Sequence, residues 1–505
     1  MNATRLPRDR AIARQVAPVG QARQLREMTL SFASAATHVA RTARQLAVVA
    51  VVLPALLTAQ TSPALTRWQA QARDLLKELV EINTTHSTGS TVAAAEAMAR
   101  RMRAAGFPEQ DVVVVENAPR KGNLIVRYRG RNASRKPILL LSHIDVVEAN
   151  PEDWTLPPFQ FIERDGTFYG RGVADDKDEG AIHLTLLLRM KAEGYVPDRD
   201  IIVALTADEE GGSANGVDYL VKNRPDLIQA EFAFNEGGGG RVEEGRRVAN
   251  ETQASEKKVA NFTLEATNPG GHSSQPRPDN AIYQLAAALD RLGKYAFPVH
   301  LNEVTREYFR RQAAISGGEV GRAMTRIVAN ERDAAAAALI SKDPANNSRL
   351  RTTCVATMLE GGHASNALPQ RARATVNCRI LPDETTESVQ ARIVAAIADT
   401  GVKVSTQRGA NDSPPSPLTP ALVAAIESAS QEVFPGIPVV PTMSTGATDG
   451  RILRNAGIPV YGVSGLFYDT PNAHGMNEHV SAKAFYDGLE FMYRLVKKVT
   501  ASPGT

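Results

Sequence analysis

Cysteine is scarce: the 505-residue chain has two, Cys354 and Cys378. That excludes a disulfide-stapled scaffold and any metal site built on several thiolates, so a metal centre here has to be made of His, Asp and Glu. Aromatic residues are also few, at 5%, while Ala is abundant, a balance that favours helices on an aliphatic core. A strong excess of one charge is missing too. The formal net charge of +3 comes from the N-terminus, where residues 1–59 hold eight Arg, no Lys, and only Asp9 and Glu27 as acids. The rest of the chain carries 50 basic against 53 acidic residues, so nothing points to nucleic-acid binding. With 43% hydrophobic and 22% charged residues the composition is globular. The length fits about three domains of roughly 150 residues, or one large enzyme domain with a smaller one.

The apolar run Leu46–Leu57 (LAVVAVVLPALL) follows Arg41 and Arg44 and precedes the small residues Thr58 and Ala59. This order is that of a secretory signal, with Met28 as an alternative start. The run is short for a bilayer core of about 30 Å. A secreted or periplasmic protein is the expectation. A retained membrane anchor and a buried helix of the fold stay open as the other readings.

Beyond this segment, short apolar runs alternate with helical stretches. Asn123–Tyr128, Ile138–Leu141, Ile201–Leu205, Glu231–Phe234 and Pro459–Val463 read as strands, and Glu179–Glu193 and Gly216–Asn223 as helices. Such alternation predicts an α/β fold with a buried parallel sheet. Residues 255–382 differ. Val259–Ala266, Arg351–Met358 and Arg371–Ile380 alternate as strands, and Ala281–Leu292 is amphipathic. The expected organisation is therefore a catalytic domain in two parts, 60–254 and 383–505, interrupted by an α+β domain over 255–382. Residues 296–350 read as a helical insert without evident chemistry.

Polar clusters stand at the carboxyl ends of the apolar strands. ILLLS leads into His143-Ile-Asp145, IIVALTA into Asp208-Glu209-Glu210, and EFAFN into Glu236 and four glycines. Gly170–Lys177 opens the helix at Glu179, and Asn472–Glu478 lies beyond the last strand. Ligands of open parallel sheets bind outside the carboxyl ends of strands, so these segments converge on one edge. Two His and several carboxylates without a thiolate suit zinc, manganese or cobalt in a catalytic role.

The motifs SHIDVV, YGRGVADDK, TADEEGG, NEGG, GGHSSQP, ATDGR and HGMNEH resemble those of the two-zinc metallopeptidases that include aminoacylase, carboxypeptidase G, carnosinase and acetylornithine deacetylase. The resemblance spans about residues 70–495. It implies that His143 and Glu236 bind one metal, Glu210 and His474 the other, and that Asp175 bridges them through a cis bond to Asp176. It makes Glu209 the general base and gives Asp145 the task of orienting the His143 ring. It also makes the inserted domain a lid that forms a homodimer interface, with His272 stabilising the oxyanion, commonly in the partner's site. Asn366 and Arg379 match the residues that hold a substrate's free carboxylate. The implied activity is hydrolysis of small peptides, with N-acyl amino acids as the alternative substrates. A non-catalytic peptide-binding protein on the same fold is a further reading, weakened because Glu209 and all five ligands are present.

Other residues carry less. His183 reads as an ordinary helix residue, His479 as packed locally, and His86 and His363 lack a role. Asp449 and Arg451 read as hydrogen-bonding supports of the site. Cys354 and Cys378 flank a hairpin, and either a disulfide or two free thiols is compatible with that.

Overall fold

A computed structural model describes residues 64–502 apart from 410 and 471. The signal segment expected over 1–59 lies outside the described residues, among which no helix is long and apolar enough to cross a membrane. The first helix, Arg67–Glu81, starts at a reciprocal cap between Thr66 and Gln69, which satisfies backbone donors that a helix start leaves open. Its Leu75, Leu76, Leu79 and Val80 are fully buried.

The large sheet runs in the order Val112–Ala118, Lys121–Tyr128, Ile201–Thr206, Ile138–His143, Phe232–Asn235, Val460–Gly462, Arg246–Glu256, Val439–Ser444, with Gly239–Glu243 paired to Arg246–Glu256. The middle four strands are parallel, as expected. Lys121–Tyr128, however, runs antiparallel to Ile201–Thr206. Its continuous apolar pattern reports burial on both faces, which does not encode direction.

The register explains how separate segments meet. His143 lies opposite Thr206, and Gly462 opposite Asn235. The residues after these positions therefore leave the sheet at the same edge.

The second sheet is antiparallel, in the order Thr353–Gly361, Arg371–Ile380, Lys258–Thr267, Val402–Arg408. Helices Ala281–Lys294 and Thr386–Ile397 cover one face, packing Leu285, Leu292, Val389 and Ile393 on Phe262, Leu264 and Val376. This corrects the boundary expected at 382/383: Val402–Arg408 pairs with Lys258–Thr267, so the small domain continues to Arg408. The helices Glu303–Ser316 and Gly318–Ala329 of the insert do not join it. Their Tyr308, Phe309, Met324 and Ile327 pack with Ala249 and Val440 of the large sheet, over an edge strand whose free backbone groups need cover. Cys354 and Cys378 face each other across two strands and form a disulfide, deciding between the two readings of the sequence.

Candidate metal centre and catalytic site

Two imidazoles close on one carboxylate. His143 Nε2 lies 3.0 Å from Asp175 Oδ1, and His474 Nε2 lies 3.1 Å from Asp175 Oδ2. Glu210 Oε1 is 2.8 Å from the same nitrogen of His474. The donors fall into two groups able to hold an ion, His143 with Asp175 and Glu236, and Asp175 with Glu210 and His474. Asp175 belongs to both, and the bond from Asp175 to Asp176 is cis, as the resemblance implied. Five residues from five segments thus come together at one place.

The two ends differ in exposure. The His143 side chain is 2% exposed and that of His474 53%, so the centre opens to solvent on the His474 side. Burial works against a charged His143 ring, yet the Asp175 hydrogen bond and the charges of Asp175, Glu236 and Asp145 raise its pKa well above the usual value. The hydrogen bond to Asp175 likewise lifts His474, against some burial, to about 9. Burial pushes the Glu236 carboxyl well above the carboxylate range, helped by Glu209 and Asp175. Burial also raises Glu209, to about 8, with Asp449, Glu210 and Asp145 adding to the effect and His143 opposing it. Carboxyls crowded this closely disfavour one another's ionisation, and a divalent cation removes that penalty. The donor set therefore fits the metal implied by the sequence.

Asp145 meets the His143 ring mainly through its backbone. His143 Nδ1 lies 3.1 Å from the Asp145 backbone carbonyl and 3.7 Å from its carboxylate. The carboxylate also accepts the amides of Glu209 at 3.1 Å and Glu210 at 3.0 Å. It clamps the loop that carries Glu209 and Glu210.

His272 and Asn366 meet on the small domain, where Ser273 donates its amide to the Asn366 carbonyl at 3.0 Å. Both are exposed. His272 Nδ1 contacts the Ser274 hydroxyl at 2.7 Å, and no hydrogen bond or ion pair links it to the five ligands among the described residues. Arg379 is half-buried and donates to the Thr445 carbonyl at 3.3 Å, so it reaches the loop after the large sheet's edge strand.

His183 is buried against Ser142 at 2.8 Å, with its pKa lowered by burial to about 3. It is a neutral core residue. His479 bonds locally to Thr470 and Asn477. Asp449 accepts a hydrogen bond from Asn215 at 2.6 Å, in keeping with a supporting role.

Sequence reading missed the ties between loops. Arg171 and Glu478 form a buried ion pair at 2.6 Å. Lys177, fully buried, donates to the Leu79 and Ile82 carbonyls at 2.9 and 3.0 Å and so anchors the Asp175 loop to the end of the first helix. The available signal was a charged residue standing among the glycines and acids of each motif.

The chain matches the model of Peptidase family M20/M25/M40 over residues 139–498. It is 30% identical to N-fatty-acyl-amino acid synthase/hydrolase of Homo sapiens over 73% of this chain and 75% of that one. Identity to Aminoacylase-1A of Rattus norvegicus is 26%, over 82% and 91% of the two chains. Among solved structures, the metallo-carboxypeptidase Sso-CP2 of Sulfolobus solfataricus superposes with a TM-score of 0.62 at 19% identity, covering 86% of this chain and 99% of that one. Human carnosine dipeptidase 1 gives 0.56 at 16% identity, over 86% and 97% of the chains. The chain belongs to the M20/M25/M40 peptidase family and is a hydrolase of peptide or N-acyl amide bonds.

Proposed function

We propose that this family member hydrolyses the amide bond joining an acyl group or a preceding residue to an amino acid with a free carboxylate. The observation that carries the reading is the pair of ligand groups sharing Asp175, with Glu209 beside them. Two divalent ions would be held by His143, Asp175 and Glu236 and by Asp175, Glu210 and His474, with zinc as the metal and manganese or cobalt as alternatives. When bound they supply hydroxide at neutral pH by lowering the pKa of water toward about 7.

The chain's own residues do the rest. Glu209 takes the proton of the attacking water and passes it to the leaving nitrogen. His272 donates to the carbonyl oxygen as charge develops there. Asn366 and Arg379 hold the free carboxylate, a task for which the planar guanidinium fork is suited. No covalent enzyme intermediate is required.

The exposure of His272 and Asn366 supports completion of each site by a second copy of the chain, through about residues 255–380. The edge strand Thr353–Gly361, with Val355, Met358 and Leu359 each at least 60% exposed, supports the same face for the homodimer. Export rests on the Leu46–Leu57 segment alone.

The substrate test is a panel of dipeptides beside N-acetyl, N-decanoyl and N-palmitoyl amino acids, with zinc-loaded protein. Hydrolysis that a chelator abolishes is expected. Relative rates across the panel assign the peptidase or acylase preference, and no turnover of any member overturns the reading.

A further inference from the structure

One buried ion pair lies outside the metal centre but adjoins the base. Lys121, at the start of the strand Lys121–Tyr128, contacts the Asp208 carboxylate with its ammonium. The two residues are 7% and 2% exposed. Asp208 immediately precedes Glu209, and its φ of +65° lies in the left-handed region, which residues with a Cβ seldom adopt. A backbone held there persists only where its surroundings compensate.

The compensation is visible. One Asp208 oxygen takes Lys121, and the other accepts the Ala214 amide at 2.9 Å. The loop closes over this carboxylate so tightly that a Cβ on Gly212 would stand 2.0 Å from it. Two residues along the same strand, Asn123 accepts the Ala207 amide at 3.0 Å. His86 flanks the pair, 3.3 Å from the Lys121 ammonium and 3.4 Å from the Asp208 carboxylate. The strand thus grips residues 207 and 208, while Asp145 grips the amides of 209 and 210. Glu209 sits where the two anchors meet.

We propose that Lys121 is a positioning residue for the reaction: by holding Asp208 in its left-handed conformation it aims the Glu209 carboxylate at the attacking water. The ammonium of Lys121 meets Asp208 and His86 and none of the five residues proposed to hold metal. Losing its charge takes the buried ammonium from Asp208 and leaves only the exposed His86 ring beside it, and the backbone relaxes at the residue that sets the direction of Glu209.

The proposal rests on Glu209 being the base, so Glu209→Gln is assayed in parallel. The probe is the panel member that the wild-type protein turns over fastest. Lys121→Met should lower kcat at least 10-fold, with KM within about twofold of wild type and two metals per chain retained. Asp208→Asn, which keeps the side chain's size, should do the same and serves if Lys121→Met does not fold. Lys121→Met/Asp208→Asn should be no worse than the more impaired single variant, because the two act as a unit. Unchanged kcat in a folded, metal-loaded Lys121→Met or Asp208→Asn protein overturns the proposal. So does a fall in kcat that follows metal loss. If Glu209→Gln is itself fully active, the base assignment has failed instead.

Discussion

Arg171 and Glu478 stand 307 positions apart and meet at 2.6 Å in the interior. One oxygen of Glu478 also accepts the amides of Gly172 and Ala174 at 3.0 and 2.9 Å, while Arg171 donates to the His474 carbonyl at 3.3 Å. The pair locks the loop bearing Asp175 to the loop bearing His474. The distance between Asp175 and His474 is therefore constrained by this ion pair.

Arg171→Met should accordingly be costly. It leaves Glu478 buried without its cation, a change that typically destabilises by about 3–5 kcal/mol. Denaturant unfolding monitored by circular dichroism should show this, and metal titration should show weakened binding. A variant as stable as wild type with full metal affinity would contradict the locking role.

Replacing Glu209 tests its proposed role as the base directly. Glu209→Gln keeps the shape of the side chain but cannot accept a proton. Its kcat should drop by about 100-fold or more with both metals in place, the usual scale for a general base. Near-normal turnover would assign the role elsewhere.

Metal removal should act on stability as well as on rate. A ligand that binds only the native state adds to its stability, and a divalent cation here would also offset the repulsion among crowded carboxyls. Dialysis against a chelator should abolish hydrolysis and lower the melting temperature, and added zinc should restore both. Activity that survives verified removal of metal would exclude the two-ion reading.

Subunit exchange tests the role of His272. Co-expressed Glu209→Gln and His272→Ala chains should regain activity that neither variant has alone, because a mixed dimer contains one site with an intact base and an intact partner histidine. A verified mixed dimer without activity would place His272 in its own chain's site or outside the reaction.

Lys257, where the chain passes from the large sheet to the small one, predicts a pH effect on stability. Its ammonium donates to the Arg351 carbonyl at 2.6 Å. Burial lowers its pKa to about 7, with Arg379 and Arg351 acting in the same direction and Glu384 opposing. The unfolded chain holds this proton up to about pH 10.4, so between the two values the unfolded state binds more protons and stability rises with pH. The contribution of Lys257 should therefore be least favourable below pH 7 and should improve toward pH 10. Unfolding curves of wild type and Lys257→Met should diverge across this window in favour of wild type, and parallel curves would refute the shift.

Much of the site was legible in the sequence because its signals are local. The apolar strands Ile138–His143, Ile201–Thr206 and Phe232–Asn235 place His143, Glu210 and Glu236 at their carboxyl ends or within four residues beyond them, where the parallel register sends them to one edge. The alternating strand Arg371–Ile380 and the helix Gly216–Asn223 likewise declare themselves through period and capping. What escaped was every choice of partner. Hydrophobic period reports which face is buried but not which neighbour buries it, so Val402–Arg408 joined the small sheet and the 303–350 helices covered the large one. The antiparallel course of Lys121–Tyr128, the disulfide between Cys354 and Cys378, and the grip of the Asp145 carboxylate on the Glu209 and Glu210 amides have the same origin. So do the pairings of Arg171 with Glu478 and of Lys121 with Asp208. An ion pair or a strand register between residues tens to hundreds of positions apart exists only once the chain has closed around it. The sequence by itself determined the chemistry of the ligands and their arrival at one sheet edge, and the tertiary structure decided the contacts that hold them at working distances.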